Sequence, residues 1–267
     1  MNILYKLRRQ TETVVSLLAV VILWQLASYA FPAYLFPPVN LIGDALGAII
    51  IDGQIWEASA TYLRILAGMA GAFVLGGILA FVMGNSETVN RYLFPIINLL
   101  QGIPADEAGL PAGIPALSWV VFAIIWFKHT EFRIWFIMVA TTLPAFTFQL
   151  LDAYRAISKD LMEMTLSFRP TKLDYLRVLV VPTVVPGILT AWKVNLGNAS
   201  RVVVVAELVG ATSGVGYELL QSQQLFDLAG AIAWTITLVV FVLVMQWVLA
   251  QIENWVLRYR PKSERGR

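Results

Sequence analysis

Residues 228–252 read LAGAIAWTITLVVFVLVMQWVLAQI and contain no charged side chain. A bilayer core about 30 Å thick is crossed by roughly 20 apolar residues in an α-helix, so this stretch is long enough to span it. Backbone N–H and C=O groups inside lipid must be satisfied within the segment, which favours a helix over an isolated strand. The stretch therefore predicts a membrane-spanning helix.

The rest of the chain follows the same pattern. Of the 267 residues, 58% are hydrophobic and only 13% are charged, and the mean hydropathy is +0.72. A soluble domain carries about 25% charged residues. We predict an all-α membrane bundle, a single domain over 13–256, with six spans at 13–31, 63–84, 93–127, 133–152, 183–207 and 228–252. The apolar run of the first span exceeds that of a cleaved signal peptide, so we expect this span to be retained.

The distribution of Lys and Arg predicts the orientation of these spans. Basic residues concentrate in the N-terminal segment 1–12, the loop 153–182 and the tail 257–267, whereas 31–63 and 208–227 have none. Cytoplasmic loops carry the excess of basic residues, so both termini are predicted to be cytoplasmic. Lys128 and Arg133 are exceptions in a short loop on the predicted outer side.

Several function classes are excluded by what the sequence lacks. Cysteine is absent, so thiol chemistry is excluded, and the single histidine, His129, leaves little material for a His-rich metal site or a Ser/His triad. The net charge of +2 gives no argument for nucleic acid. No phosphate-binding Gly-x-x-x-x-Gly-Lys-[Ser/Thr] occurs, so we expect that this chain does not hydrolyse ATP itself. We also expect no catalytic, cofactor or metal site in it. A secondary transporter working without ATP and a membrane-embedded enzyme remain as alternatives.

The cytoplasmic loop 153–182 is too long for a passive connection between helices, which usually takes about 2–8 residues. Ser158 is a plausible N-cap, and Asp160 follows in the first turn. Apolar or small side chains recur on one helix face, namely at Leu161, Met164, Thr165 and Phe168. Pro170 then interrupts the helix. An amphipathic helix of this kind suits a partner's groove, and the alternative is a helix lying on the membrane surface.

This loop resembles the coupling loop of binding-protein-dependent ABC importer permeases, whose pattern is Glu-Ala-Ala, three residues, Gly, nine residues, Ile, one residue, Leu-Pro. Glu163 and Pro182 match the first and last positions, at the correct separation. Leu179 and Val181 stand for Ile and Leu, Met164 and Thr165 replace the two alanines, and Arg169 replaces the glycine.

Further segments resemble the nitrate, sulfonate and taurine branch of that family, in the family's order and over nearly the whole chain. They are Leu35-Phe36-Pro37-Pro38, Gly113-Ile114-Pro115-Ala116-Leu117, Trp126-Phe127, Pro186-Gly187-Ile188-Leu189-Thr190, Val205-Ala206-Glu207, Gly214-Val215-Gly216-Tyr217 and Glu253-Asn254 to Arg258-Tyr259-Arg260.

The resemblance implies a permease of the type I ABC importer fold in a bacterial inner membrane. It implies three partners besides the lipid bilayer: a cytoplasmic ATPase that hydrolyses ATP, a second permease copy, and a periplasmic solute-binding protein. The solute would be small, such as a sulfonate or nitrate. The ATPase would dock on Leu161, Glu163, Met164, Phe168, Arg169 and Pro182.

Three charges fall within the fifth predicted span, at Lys193, Arg201 and Glu207. At about 100° per residue, Lys193 and Glu207 lie about 40° apart and Arg201 about 80° from Lys193, so they can share a face. Charges in a span usually face the bundle or a wet cavity. They predict an electropositive pathway for an anion, with a structural ion pair or snorkelling to headgroups as the alternative.

Small residues recur at every fourth position of the second span, as Gly68, Ala72, Gly76, Ala80 and Gly84. Such a ridge lets two helices approach closely in lipid. It predicts packing inside the bundle or, alternatively, a pathway or subunit interface.

Gly-Ile-Pro-Ala occurs twice, at Gly102–Ala105 and Gly113–Ala116, which indicates a tandem insertion of 11 residues. We expect it to make the third span irregular near 103–112. Asp106 and Glu107 lie between the copies, either in a tolerated irregularity or in a charged loop at the pathway.

Overall fold

A computed structural model describes residues 2–101 and 114–259, and the regular structure within these ranges is helical. The α-helices are α1 (Asn2–Ala30), α2 (Val39–Ile51), α3 (Ile55–Asn85), α4 (Glu87–Gln101), α5 (Ala116–Trp126), α6 (Thr130–Arg155), α7 (Lys159–Ser167), α8 (Lys172–Tyr175), α9 (Val181–Leu208), α10 (Val215–Gln224) and α11 (Leu228–Val256). A π-helical turn, Leu176–Val180, joins α8 to α9, and a 3₁₀ turn, Leu257–Tyr259, follows α11.

Four helical stretches in the described residues are long and apolar enough to cross a membrane. They are Ile55–Asn85, Thr130–Arg155, Leu173–Leu208 and Leu228–Val256. Two shorter apolar stretches, Val14–Ala30 and Leu117–Trp126, fall in the first and third predicted spans. The all-α bundle expected from the hydropathy is confirmed.

The third predicted span, 93–127, is not one helix. It divides into α4 and α5, while Asp106, Glu107 and the first Gly-Ile-Pro-Ala copy lie outside the described residues. The Ile114 N–H donates to the Leu99 carbonyl at 2.8 Å. Without the 11 inserted residues, this bond would join residues four apart, the spacing of an α-helix. Ile114 of the second copy therefore makes the i to i−4 hydrogen bond that a helix without the insertion would make at this point.

The core of the bundle lies where α3, α6 and α9 pack together. Its fully buried side chains include Ile65 and Met69 from α3, Met138 and Phe146 from α6, and Leu196 from α9. These residues lie on the inner faces of helices whose outer faces are apolar and exposed, as expected for helices that contact lipid.

The ridge of small residues on α3 packs against α6. A Cβ added at Gly68 would come within 2.5 Å of Met138 Cβ, and one at Gly84 within 2.6 Å of the Tyr154 ring. Ala72 and Ala80 of the same ridge are buried. The interpretation as packing within the bundle is confirmed, because a larger side chain at these positions would push α3 and α6 apart.

A smaller cluster forms where α2, α10 and the first turns of α3 and α11 meet. Ile49, Ala58, Val215, Ala233 and Trp234 are buried there. α2 lies in the connecting segment 31–63, and α10 lies in the connecting segment 208–227. On the predicted topology this cluster is the outer cap of the protein, and it fixes the end of α3 that carries Arg64.

Candidate coupling surface and Arg64 cluster

The coupling surface is the face of α7 and its C-cap that carries Leu161, Met164 and Phe168. Ser158 caps the helix as predicted, since its hydroxyl accepts a hydrogen bond from the Leu161 N–H at 3.3 Å. Within α7 no residue is buried. The side chains of Leu161, Met164 and Phe168 are 44%, 56% and 79% exposed. The described residues thus leave the predicted apolar face of α7 open.

Met162 holds α7 to the rest of the protein, and this contact was not predicted. Its side chain packs against the buried residues Ile157, Leu179 and Val180. Leu179 and Val180 belong to the π-helical turn that leads into α9. Met162 thus places α7 in apolar contact with the turn that leads into α9. The sequence did not predict the Met162 contact, because a single methionine forms no periodic pattern.

The other predicted coupling residues lie on α7, just beyond its end, and at the start of α9. Glu163 is exposed on α7. Arg169, just beyond the end of α7, adopts the left-handed conformation with φ 48°. Its N–H donates to the Leu166 carbonyl at 2.9 Å, so the residue closes the helix in the position where glycine is favoured. Pro182 lies in the first turn of α9.

The three charges of α9 do not form one group. Lys193 pairs with Glu253 of α11, and both side chains are partly buried. Glu207 is fully buried and pairs with Arg64 of α3. Arg201 is exposed, and in the described part of the chain it forms no ion pair. Two clefts, of about 240 and 550 Å³, lie beside it and are lined mainly by apolar residues of α5, α9 and α11.

The Arg64 cluster consists of Thr61, Arg64, Glu131, Glu207 and Ser213. Arg64 Nη1 donates to Glu207 Oε1 at 2.6 Å and to the Ser213 carbonyl at 2.8 Å. Its Nε and Nη2 donate to the two oxygens of Glu131 at 2.9 and 2.5 Å. The Thr61 hydroxyl donates to the Glu207 carboxylate, 2.8 Å from Oε1. The cluster ties the adjoining ends of α3, α6 and α9 together.

Backbone groups of the turn before α10 complete the cluster. The Gly216 N–H donates to Glu207 Oε2, and the Val215 N–H donates to Thr61 Oγ1, both at 2.8 Å. Gly214 has φ 106°, and a Cβ there would lie 2.6 Å from Glu207 Oε1. Glycine is therefore required at this position by both conformation and space. The segments Val205-Ala206-Glu207 and Gly214-Val215-Gly216-Tyr217, noted separately in the sequence, meet in one site.

Sequence reasoning missed Arg64 and Glu131. Arg64 directly precedes the charge-free run that begins at Ile65, and Glu131 stands between Lys128 and Arg133 in a short loop. Both resemble ordinary flanking charges of a span. A signal was present in Glu207, because a carboxylate inside a span requires a partner.

A family model described as binding-protein-dependent transport system inner membrane component matches residues 72–258. The chain belongs to this family. The match includes α7, the π-helical turn, α9 and Glu207, while Arg64 lies just before it.

The chain is similar to permeases of several named transport systems. The bicarbonate transport system permease protein CmpB of Synechococcus elongatus is 21% identical over 91% of this chain and 87% of that protein. The taurine transport system permease protein TauC of Escherichia coli is 26% identical over 80% of this chain and 77% of that protein. The MetNI methionine ABC transporter, solved in inward-facing conformations, matches with a TM-score of 0.58 and 16% identity, over 76% of this chain and 98% of that one.

These comparisons establish the class of the protein. It is a multi-pass membrane permease subunit of an ABC importer, a transport subunit and not an enzyme, and permeases of this family work with an ATPase and a binding protein. The predicted family and its fold are confirmed. An ATP-independent secondary transporter and a membrane-embedded enzyme are not favoured.

Proposed function

We propose that this permease carries a small anion across the membrane and that an ATPase drives it by docking on the coupling surface of α7. The observation that carries the coupling part is the open apolar face of α7, with Phe168 79% exposed at its end. An amphipathic helix with no cover of its own fits a groove on a partner. Glu163 beside that face would pair with a basic or amide donor of the ATPase.

The anion is supported by two observations. CmpB and TauC are named for bicarbonate and for taurine, which carries a sulfonate. Arg201 is an exposed cation about two turns before the end of α9, beside clefts of about 240 and 550 Å³. A cation in a span usually faces a wet cavity or the bundle interior. Lys193 and Glu207 have acidic and basic partners within the chain, so we assign them to holding the helices together rather than to contact with the solute.

The pathway would form between two copies of this permease, with both termini in the cytoplasm. The basic segments 153–182 and 257–267 support that orientation. A second copy packed against the clefts beside Arg201 would close them. ATP would be hydrolysed by the partner, and this chain would bind no cofactor. Nucleotide would act by selecting between an outward-open and an inward-open arrangement.

Charge reversal on α7 tests the coupling part of the proposal. We expect Glu163→Lys to weaken binding of the ATPase by about 30-fold or more, because an interfacial charge left without its partner costs at least about 2 kcal/mol. Co-purification of the ATPase, ATP hydrolysis and solute uptake would be measured together in proteoliposomes.

The matched control is Glu87→Lys. Glu87 begins α4 at the same predicted membrane face, is 89% exposed and lies 3.9 Å from Arg91. Its reversal changes the charge of the protein equally without touching α7. Docking, hydrolysis and uptake that match the wild type in Glu163→Lys would show that α7 is not the coupling site.

The anion part is tested by uptake of nitrate, bicarbonate, taurine and a neutral solute with wild type and Arg201→Gln. We expect uptake of at least one anion and a reduced rate in the variant. Import of the neutral solute alone would contradict the assignment.

A further inference from the structure

A cleft of about 420 Å³ opens beside the Arg64 cluster, at the predicted outer ends of α3 and α6. Its lining includes Arg64, Glu131, Ser213 and Trp135. This volume far exceeds the roughly 30 Å³ that a water molecule occupies in the liquid, so a small solute fits. The cleft lies next to a cation that neither the pathway nor the coupling surface uses.

The two sides of the Arg64 guanidinium have different surroundings. On the inner side, Nη1 is held by Glu207 Oε1 at 2.6 Å and by the Ser213 carbonyl at 2.8 Å, and Glu207 is fully buried. On the outer side, Nε and Nη2 donate to the carboxylate of Glu131, whose side chain is 69% exposed. Arg64 itself is 7% exposed. The arginine is thus anchored from within, and its outer pair of donors is occupied by a carboxylate in contact with solvent.

We propose that the outer donors of Arg64, Nε and Nη2, form a binding site for a small oxyanion, and that the Glu131 carboxylate occupies this site as an exchangeable internal ligand. This inference rests on the proposed transport of an anion. Guanidinium presents two parallel N–H groups that match paired oxygens, and a carboxylate, a nitrate, a bicarbonate or a sulfonate each supplies such a pair. The Ser213 hydroxyl, 3.1 Å from Nη2, is close enough to donate to the same anion.

Charge balance permits the exchange. Arg64, Glu131 and Glu207 together carry one positive and two negative groups. When the displaced Glu131 carboxylate turns out into solvent, a monovalent oxyanion in its place leaves the charge in contact with Arg64 unchanged, so the buried Glu207 keeps its counter-charge. An anion that added to the cluster without displacing Glu131 would meet net repulsion.

The position of Glu131 makes its release inexpensive. It lies in the first turn of α6 and its side chain is 69% exposed, so water can solvate the carboxylate once it leaves Arg64. The positive end of the helix dipole stabilises the glutamate, and it would stabilise an incoming anion in the same way. Arg64 stays in place when Glu131 leaves, because its inner contacts do not involve Glu131.

The test is a nitrate titration of the purified permease–ATPase complex, followed by thermal unfolding at constant ionic strength. Glu131→Gln removes the competing charge and keeps the length of the side chain. We expect half-maximal stabilisation at a nitrate concentration about fivefold or more below that of wild type, because the variant removes the carboxylate that competes with nitrate for the donors of Arg64. Glu131→Asp, which retains the charge, should stay within about twofold of wild type.

The matched control is Asp52→Asn. Asp52 is exposed at the end of α2 on the same predicted face, and its removal lowers the local negative charge without contact with Arg64. Its nitrate dependence should equal that of wild type. A nitrate dependence that is the same in Glu131→Gln and wild type, or no stabilisation by nitrate in either, would contradict the proposed oxyanion site at Arg64.

The uptake panel separates this proposal from the transport function. Anion uptake by wild type, combined with unchanged nitrate binding in Glu131→Gln, overturns the exchange and leaves the proposed function standing. Selective nitrate binding to Glu131→Gln, in a complex that imports only a neutral solute, would contradict the proposed transport of an anion and would support the oxyanion site at Arg64.

Discussion

The Arg64 cluster and the coupling surface of α7 lie at opposite ends of α6 and differ in what they require from outside the chain. In the cluster, the buried carboxylate of Glu207 is satisfied by Arg64, Thr61 and the Gly216 N–H, all from the same chain. On α7, the described residues leave the apolar side chains of Leu161, Met164 and Phe168 exposed. The cluster therefore holds the bundle together, whereas α7 is a surface whose energetic value appears only on binding.

The largest expected effect is on the cluster. Arg64→Met should reduce the free energy of unfolding by about 3–5 kcal/mol, because it leaves Glu207 buried without its counter-charge. Denaturant unfolding in mixed micelles would measure this loss. Adding Glu207→Gln should recover part of it, since the unpaired charge is then removed.

Arg91→Met is the control for that experiment. Arg91 is 79% exposed, and its ion pair with the exposed Glu87 is long at 3.9 Å, so the loss of Arg91 should change stability by less than about 0.5 kcal/mol. Equal destabilisation by Arg64→Met and Arg91→Met would show that the buried pair has no special role.

The next effect is on docking through α7. Phe168→Ala should cost about 2 kcal/mol of ATPase binding, as for an aromatic anchor at an interface, and should leave unfolding of the isolated permease unchanged. Phe226→Ala offers a matched control, because Phe226 is also 79% exposed but lies at the predicted outer turn before α11. Titration of the ATPase onto immobilised permease would compare them. Equal losses in the two variants would remove α7 from the interface.

The smallest effect concerns the end of α7. Arg169→Gly should stabilise the permease by about 1 kcal/mol, because φ 48° strains an arginine and suits a glycine. The measurement is the shift of the unfolding midpoint. Arg177→Gly, in the π-helical turn, should instead lower stability, because a glycine inside a helix is unfavourable. A loss of stability in Arg169→Gly would indicate that the arginine side chain contributes more than its backbone costs.

The sequence by itself determined the features that depend on neighbouring residues. Runs of apolar residues predicted the membrane helices, since a segment that crosses lipid must satisfy its own backbone. The Ser158 cap and the apolar face of α7 followed from the spacing within one short helix. The tandem Gly-Ile-Pro-Ala copies predicted a break in the third span, where α4 and α5 are separate helices.

Only the tertiary structure decided which charges meet. Thr61 and Glu207 are 146 positions apart, and Lys193 and Glu253 are 60 apart. Helical periodicity placed Lys193, Arg201 and Glu207 near one face of α9, but it carries no information about the helix that packs on that face. Arg64 and Glu131 looked like flanking charges until α3 and α6 brought them together beside Glu207. A charge in a span is paired or free according to its neighbours in space, and the packing of distant helices alone sets those neighbours.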